Sequence, residues 1–363
     1  MAKLNRFSHC LGFLCIITLT LLAISPNCNA ALFIFGDSAF DVGNNNYINT
    51  SFQATKFPYG ETFFEYPTGR FSNGRLVPDF IAEYAKLPFI VPYLQPCNHH
   101  DFKYGVNFAS AGAGALVETR PGLVIDLKTQ LGNFKNVSKL LREKFGDAEA
   151  EDLLSRAVYL FSVGGNDYLF PFETNSSVLR TYSPEQFAGQ VIGNISEVIQ
   201  EIYKIGGRKF AFPSMWPLAC FPFARVIKGG DYGCLDQITP YLKSHNKQLY
   251  NLLQNFQKHL NKFKYSLLDF YSFLEERMNH PSKQGFKEGK VACCGSGPYR
   301  GEFNCGGGNF SLCYNAIEYV FFDSVHPSEK VYEQFAKQAW SGKLSLKGSY
   351  SLMELFESNH DLV

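Results

Sequence analysis

Charge of either sign is almost absent in excess: 34 Lys and Arg stand against 33 Asp and Glu, a formal net charge of +1. No Lys/Arg block interrupts that balance, so nothing supports nucleic acid as a partner. The sequence also lacks internal repeats, linker-like stretches and any long apolar run after residue 30, so a single domain over residues 31–363 is expected, without a spanning segment. Cysteine pairs with metal-ligand spacing are missing too. No CxxC pair is matched by a second one, which ranks zinc behind disulfides.

The one long apolar run is at the start. Lys3 and Arg6 precede Leu11 to Ile24, and Ser25-Pro26-Asn27-Cys28-Asn29-Ala30 ends in small residues. This is the layout of a secretory signal over residues 1–30, with cleavage after Ala30. Five Asn-x-Ser/Thr sequons agree with an extracellular protein: Asn49, Asn136, Asn175, Asn194 and Asn309 are the candidate glycosylation sites. Seven cysteines remain after the signal, and Cys293, Cys294, Cys305 and Cys313 crowd into one Gly-rich stretch with the sequence ACCGSGPYRGEFNCGGGNFSLC. In an oxidising compartment these read as disulfides. An odd count leaves one thiol over, and Cys97 is the most isolated.

A 45% hydrophobic content, with 35 phenylalanines, is enough for a large core. Strand-like runs open the mature chain and recur at Tyr104–Ala109, Ala157–Val163, Lys209–Phe212 and Tyr265–Phe270. Between them are helical patterns. Ser183-Pro184-Glu185-Gln186 supplies an N-cap, a first-turn proline and a capping-box glutamine. Phe187, Val191, Ile195, Val198, Ile199 and Ile202 follow at helical spacing until Gly206-Gly207. A second long helix runs from Ile238 to Phe263. Such alternation predicts an α/β fold with three α/β/α layers and a mostly parallel central sheet.

Ligands of such sheets collect where strands end. Three polar–glycine clusters fall there: Gly36-Asp37-Ser38, Ser110-Ala111-Gly112 and Gly164-Gly165-Asn166-Asp167. Alone, Ser38 reads as a helix cap and Asn166 as an Asx-turn. The far end of the chain changes the weighting. Asp323-Ser324-Val325-His326 puts an acid three residues before an imidazole, and a serine needs such a base to become a nucleophile. His280 is the rival, in a similar His-Pro-Ser context, but Arg277 stands where its acid would have to be. The expected set is therefore Ser38, Asp323 and His326, with oxyanion donors from the N–H groups of Ser38 and Gly112 and the amide of Asn166. Asp41 reads as a turn acid.

At these residues the sequence resembles the plant GDSL esterase/lipases, within the SGNH hydrolases. FGDSAFDVGNN, YGVNFASAGAGAL, SVGGNDY and FFDSVHPSEKVYEQFA resemble the family's ordered blocks, and PYGETFF, TGRFSNGR and ACCGSGPYRGEFNC resemble plant members. Ala39 stands where the family name expects leucine. The resemblance implies Ser38 as nucleophile, Gly112 and Asn166 as oxyanion donors, and Asp323 with His326 completing the set, without metal or cofactor. It implies a secreted esterase/lipase of the apoplast or cell wall, acting on a small-molecule or lipid ester through an acyl-enzyme. An acyltransferase would use the same residues; an inactive binding protein would be expected to have lost one of them. A metal phosphohydrolase built on Asp37 would want more ligands than Asp37, Asp167 and Asp323.

Overall fold

The computed structural model describes residues 30–96 and 102–358. The expected signal lies, apart from Ala30, outside the described residues, as does Cys97. Among the described residues, no helix is long and apolar enough to cross a membrane.

Four apolar runs form the central sheet: β1 (Leu32–Gly36), β2 (Val158–Ser162), β3 (Lys209–Pro213) and β4 (Lys264–Leu268). They lie side by side in chain order and all are parallel. β1, β2 and β3 are buried at every position, which is why their sequences show no polar alternation. Phe33 and Phe35 stack beside Tyr159 and Phe161 of the neighbouring strand.

The helices are α1 (Val77–Tyr84), α2 (Leu127–Phe145), α3 (Asp147–Arg156), α4 (Gly165–Glu173), α5 (Val178–Thr181), α6 (Pro184–Ile205), α7 (Pro222–Lys228), α8 (Thr239–His259), α9 (Phe270–Asn279), α10 (Glu329–Trp340) and α11 (Leu352–Glu357). α2, α6 and α8 pack side by side on one face of the sheet, and α1, α10 and α11 pack together on the other. This is the expected α/β/α layering. α6 forms as its caps dictate: Gln186 N–H donates to Ser183 Oγ at 3.3 Å, and Ser183 N–H to Gln186 Oε1 at 2.9 Å. All six apolar residues of its expected face are buried; each such side chain contributes about 1.5–3 kcal/mol on leaving water.

Three expected boundaries shift. α8 stops at His259, because Lys262 adopts a left-handed φ of 60° and turns buried Phe263 inward before β4. Phe270 opens α9 rather than closing β4, since Asp269 caps that helix through Ser272 N–H at 3.0 Å. The run at 104–109 lies beside β1 without becoming a regular strand. Ile34 N–H donates to Val106 O and Phe108 N–H to Ile34 O. Gly36 N–H, however, donates to the Gln130 side chain at 2.8 Å, so the ladder loses one rung there before Ser110 N–H donates to Gly36 O at 3.0 Å.

That irregular segment sets the position of the site. From β1 the chain first passes to residues 106–108 on one side, then returns to β2 on the other. The carboxyl end of β1 is therefore a switch point between neighbouring strand ends, where a crevice opens.

All four cysteines of the Gly-rich stretch pair with one another, Cys293 with Cys313 and Cys294 with Cys305. A third disulfide joins Cys220 to Cys234.

Candidate active site

Ser38 lies in a tight turn just beyond β1. Gly36 makes that turn possible: its φ is 142°, and a Cβ there would come within 2.0 Å of the Ser162 carbonyl oxygen. Asp37, not Ser38, caps the turn, accepting from Ala39 N–H at 3.1 Å. The serine hydroxyl is left for another partner. His326 Nε2 lies 2.7 Å from Ser38 Oγ, across 288 residues of sequence.

The histidine is held from behind. Its Nδ1 is 2.8 Å from Asp323 Oδ2 and 2.9 Å from Oδ1, while the N–H groups of Val325 and His326 both donate to Oδ1. Tyr59 donates its hydroxyl to Oδ2 at 2.8 Å. Burial pushes the Asp323 carboxyl up, but the imidazole, the Val325 N–H and the Tyr59 hydroxyl together outweigh it and hold the group below its ordinary value. It stays ionised beside the ring. The rival His280 is exposed, and Arg277 turns away from it to Gln334 Oε1 and Phe273 O.

Gly112 and Asn166 arrive from the two neighbouring strand ends. Gly112 has a φ of 85° and would press a Cβ against Val124 at 3.0 Å and Phe52 at 3.3 Å. Asn166 lies in the first turn of α4, just after β2. Its Nδ2 donates to Ala113 O at 2.9 Å and its Oδ1 accepts from Arg120 Nη1 at 2.7 Å, so it closes no Asx-turn. Among the described residues, no intramolecular partner takes the N–H of Ser38 or Gly112. Ser38, Gly112, Asn166 and His326 line one cavity.

The sequence profile of the GDSL-like Lipase/Acylhydrolase family matches residues 32–339. The chain belongs to this family. By that membership it is a carboxylic ester hydrolase. It is 52% identical over 339 residues to GDSL esterase/lipase 1 of Arabidopsis thaliana, covering 91% of either chain. It is 51% identical to GDSL esterase/lipase 2 of the same plant, over 91% of this chain and 90% of the relative. The GDSL lipase of Tanacetum cinerariifolium is 46% identical over 358 residues, 96% of this chain and 95% of its own.

Two cavities meet at the serine of this GDSL-family protein. The first encloses about 600 Å³ including its open mouth, with walls from Phe161, Phe212, Met215, Trp216, Leu218 and Leu249. Ala39, at the position where the family name has leucine, also lines it. The second, about 500 Å³, is walled by Phe52, Phe71, Phe223 and Phe303, with Arg120 and Glu173 among its lining residues. Both touch Ser38, Asn166, Leu169, Val325 and His326.

Three other buried carboxylates surround the site. Asp41 accepts from the N–H groups of Gly43, Asn44, Asn45 and Ala111, tying the serine turn to the Gly112 loop as a turn acid should. Asp167 does the same for residues 115–119, through Ala115 N–H, Leu116 N–H and the Thr119 hydroxyl. Burial pushes both up to about 6. Asp37, with fewer donors, is pushed by burial to about 7. Among the described residues, no three His, Cys, Asp or Glu side chains gather as metal ligands. His245 is packed in the first cavity against Tyr168, and burial depresses it to about 3.

Sequence reasoning missed Tyr59 and Arg120. Each meets its partner only through the fold, 264 and 46 residues away, and no local spacing signals either contact. Of the sequons, Asn49, Asn136, Asn175 and Asn309 are exposed and Asn194 is half-buried.

Proposed function

We propose that this protein is a secreted serine esterase that hydrolyses carboxylic esters with apolar substituents through an acyl-enzyme. The observation that carries the reading is the continuous chain from Ser38 Oγ to His326 Nε2 (2.7 Å) and from His326 Nδ1 to Asp323 (2.8 Å). Ser38 Oγ attacks the ester carbonyl carbon as His326 Nε2 takes its proton. Asp323 holds the ring's other N–H and stabilises the imidazolium. The carbonyl oxygen becomes an oxyanion that accepts from Ser38 N–H, Gly112 N–H and Asn166 Nδ2, each donor stabilising the transition state by about 3–4 kcal/mol. The intermediate collapses as His326 returns the proton to the leaving alcohol. Water repeats the sequence and releases the acid.

Two largely apolar cavities meeting at Ser38 suit an ester with apolar groups on either side of its carbonyl. Export by the N-terminal signal, with cleavage after Ala30, is supported by the three disulfides. In a plant this directs the protein to the apoplast or cell wall.

The test is hydrolysis of a short p-nitrophenyl ester by Ser38→Ala and His326→Ala. Both variants should fold and lose turnover by three or more powers of ten, an order of magnitude typical of such sets (roughly 10⁴ or more). Turnover by Ser38→Ala near the wild-type rate would refute the assignment.

A further inference from the structure

We infer that Arg120 is a positioning residue of the oxyanion hole, acting through the side chain of Asn166. The inference rests on Asn166 being an oxyanion donor, as proposed above. A carboxamide has two nearly isosteric ends, and only one can stabilise an anion. Turned over, the amide would present its oxygen to the developing negative charge and repel it. Two fixed partners decide the orientation here. Ala113 O can only accept, so it selects Nδ2 at 2.9 Å; Arg120 Nη1 can only donate, so it selects Oδ1 at 2.7 Å. One Nδ2–H is then left for the substrate. A cation on the oxygen end also withdraws electron density from the amide and makes that remaining N–H a stronger donor.

Arg120 is itself immobilised. It is 7% exposed and packs against the rings of Phe52 and Phe170, with its guanidinium carbon 4.9 and 5.5 Å from their centroids. Its Nη2 reaches both carboxylate oxygens of Glu173, at 2.6 and 2.7 Å. Glu173 closes α4, and Asn166 lies in its first turn, so the arginine bridges both ends of one short helix. A longer contact from Nη1 to Gly112 O, at 3.3 Å, ties the same guanidinium to the loop carrying the second donor. The Glu173 carboxylate offsets the positive charge. Arg120 therefore acts mainly by fixing where Asn166 points, and its loss should be felt in the transition state more than in substrate binding.

A double-mutant cycle with kinetics on a p-nitrophenyl ester tests this, using wild type, Arg120→Gln, Asn166→Ala and the double variant, each checked for a cooperative melting transition. Asn166→Ala alone should lower kcat about 100- to 1,000-fold; no loss would sink the oxyanion reading and the inference with it. With Asn166 present, Arg120→Gln should lower kcat about 10- to 100-fold, with KM within about twofold. In the Asn166→Ala background it should cost less than about threefold, because the group it positions is gone. Equal losses in both backgrounds, or none in either, would overturn the inference while leaving Asn166 its role. Should Arg120→Gln fail to fold, Glu173→Gln and Arg120→Lys carry the same cycle. Each keeps a cation and weakens the clamp, so an intermediate kcat loss confined to the Asn166 background supports the inference and a background-independent loss refutes it.

Discussion

Replacing Tyr59 by phenylalanine would remove one oxygen atom from beside a buried carboxylate and change little else in shape. The lost hydroxyl donates to Asp323 Oδ2 at 2.8 Å. Tyr59 is 3% and Asp323 1% exposed, so water is poorly placed to replace it. A hydrogen bond to a charged group contributes about 1.5–3 kcal/mol, which in a domain of this size corresponds to a Tm lower by roughly 2–4 °C. The pH dependence is more specific. Burial raises Asp323, and the imidazole, the Val325 N–H and Tyr59 lower it by more, so the folded group lies below its ordinary value. Its stabilisation is therefore present above the unfolded pKa and is lost as pH falls through the folded one. Without the hydroxyl the folded value climbs, and the loss sets in at higher pH. Because Asp323 also orients His326, kcat/KM should fall about tenfold, the equivalent of about 1.4 kcal/mol. Thermal unfolding and ester hydrolysis, each followed from about pH 3 to pH 8, read both effects. A Tyr59→Phe variant whose melting and activity profiles superimpose on wild type would refute the reasoning.

Asp37→Asn should flatten the dependence of stability on pH. Burial raises Asp37 to about 7, so its contribution is full below the unfolded pKa and lost as pH rises through 7; the variant should melt higher than wild type at pH 8, and parallel melting curves would reject this. Removing the Cys294–Cys305 disulfide by a double serine substitution should cost about 2–4 kcal/mol and raise KM. Phe303 sits inside that closed loop and walls the second cavity, so unchanged Tm and KM would argue against it.

The catalytic proposal could be read from sequence because its parts are short-range. Asp323 and His326 share one turn, and Ser38 follows an apolar run that ends in a glycine only a close-packed strand requires. α6 announced itself through Ser183, Pro184 and Gln186. What could not be read depends on side chains meeting across the fold. Gln130, in α2, takes the Gly36 peptide and interrupts the sheet edge at 104–109. Arg120 and Tyr59 look like loop residues until the chain folds their partners against them. Phe270 is apolar enough to extend β4, and only the Asp269 cap reveals that a helix has begun.

The nucleophile is tested most directly by reacting the protein with a labelled fluorophosphonate and mapping the modified peptide, since this requires no knowledge of the natural ester. One label per chain on Ser38, absent in Ser38→Ala and strongly slowed in His326→Ala, is the predicted result. Labelling at another residue, or ester turnover that survives while Ser38 stays unmodified, would contradict the account.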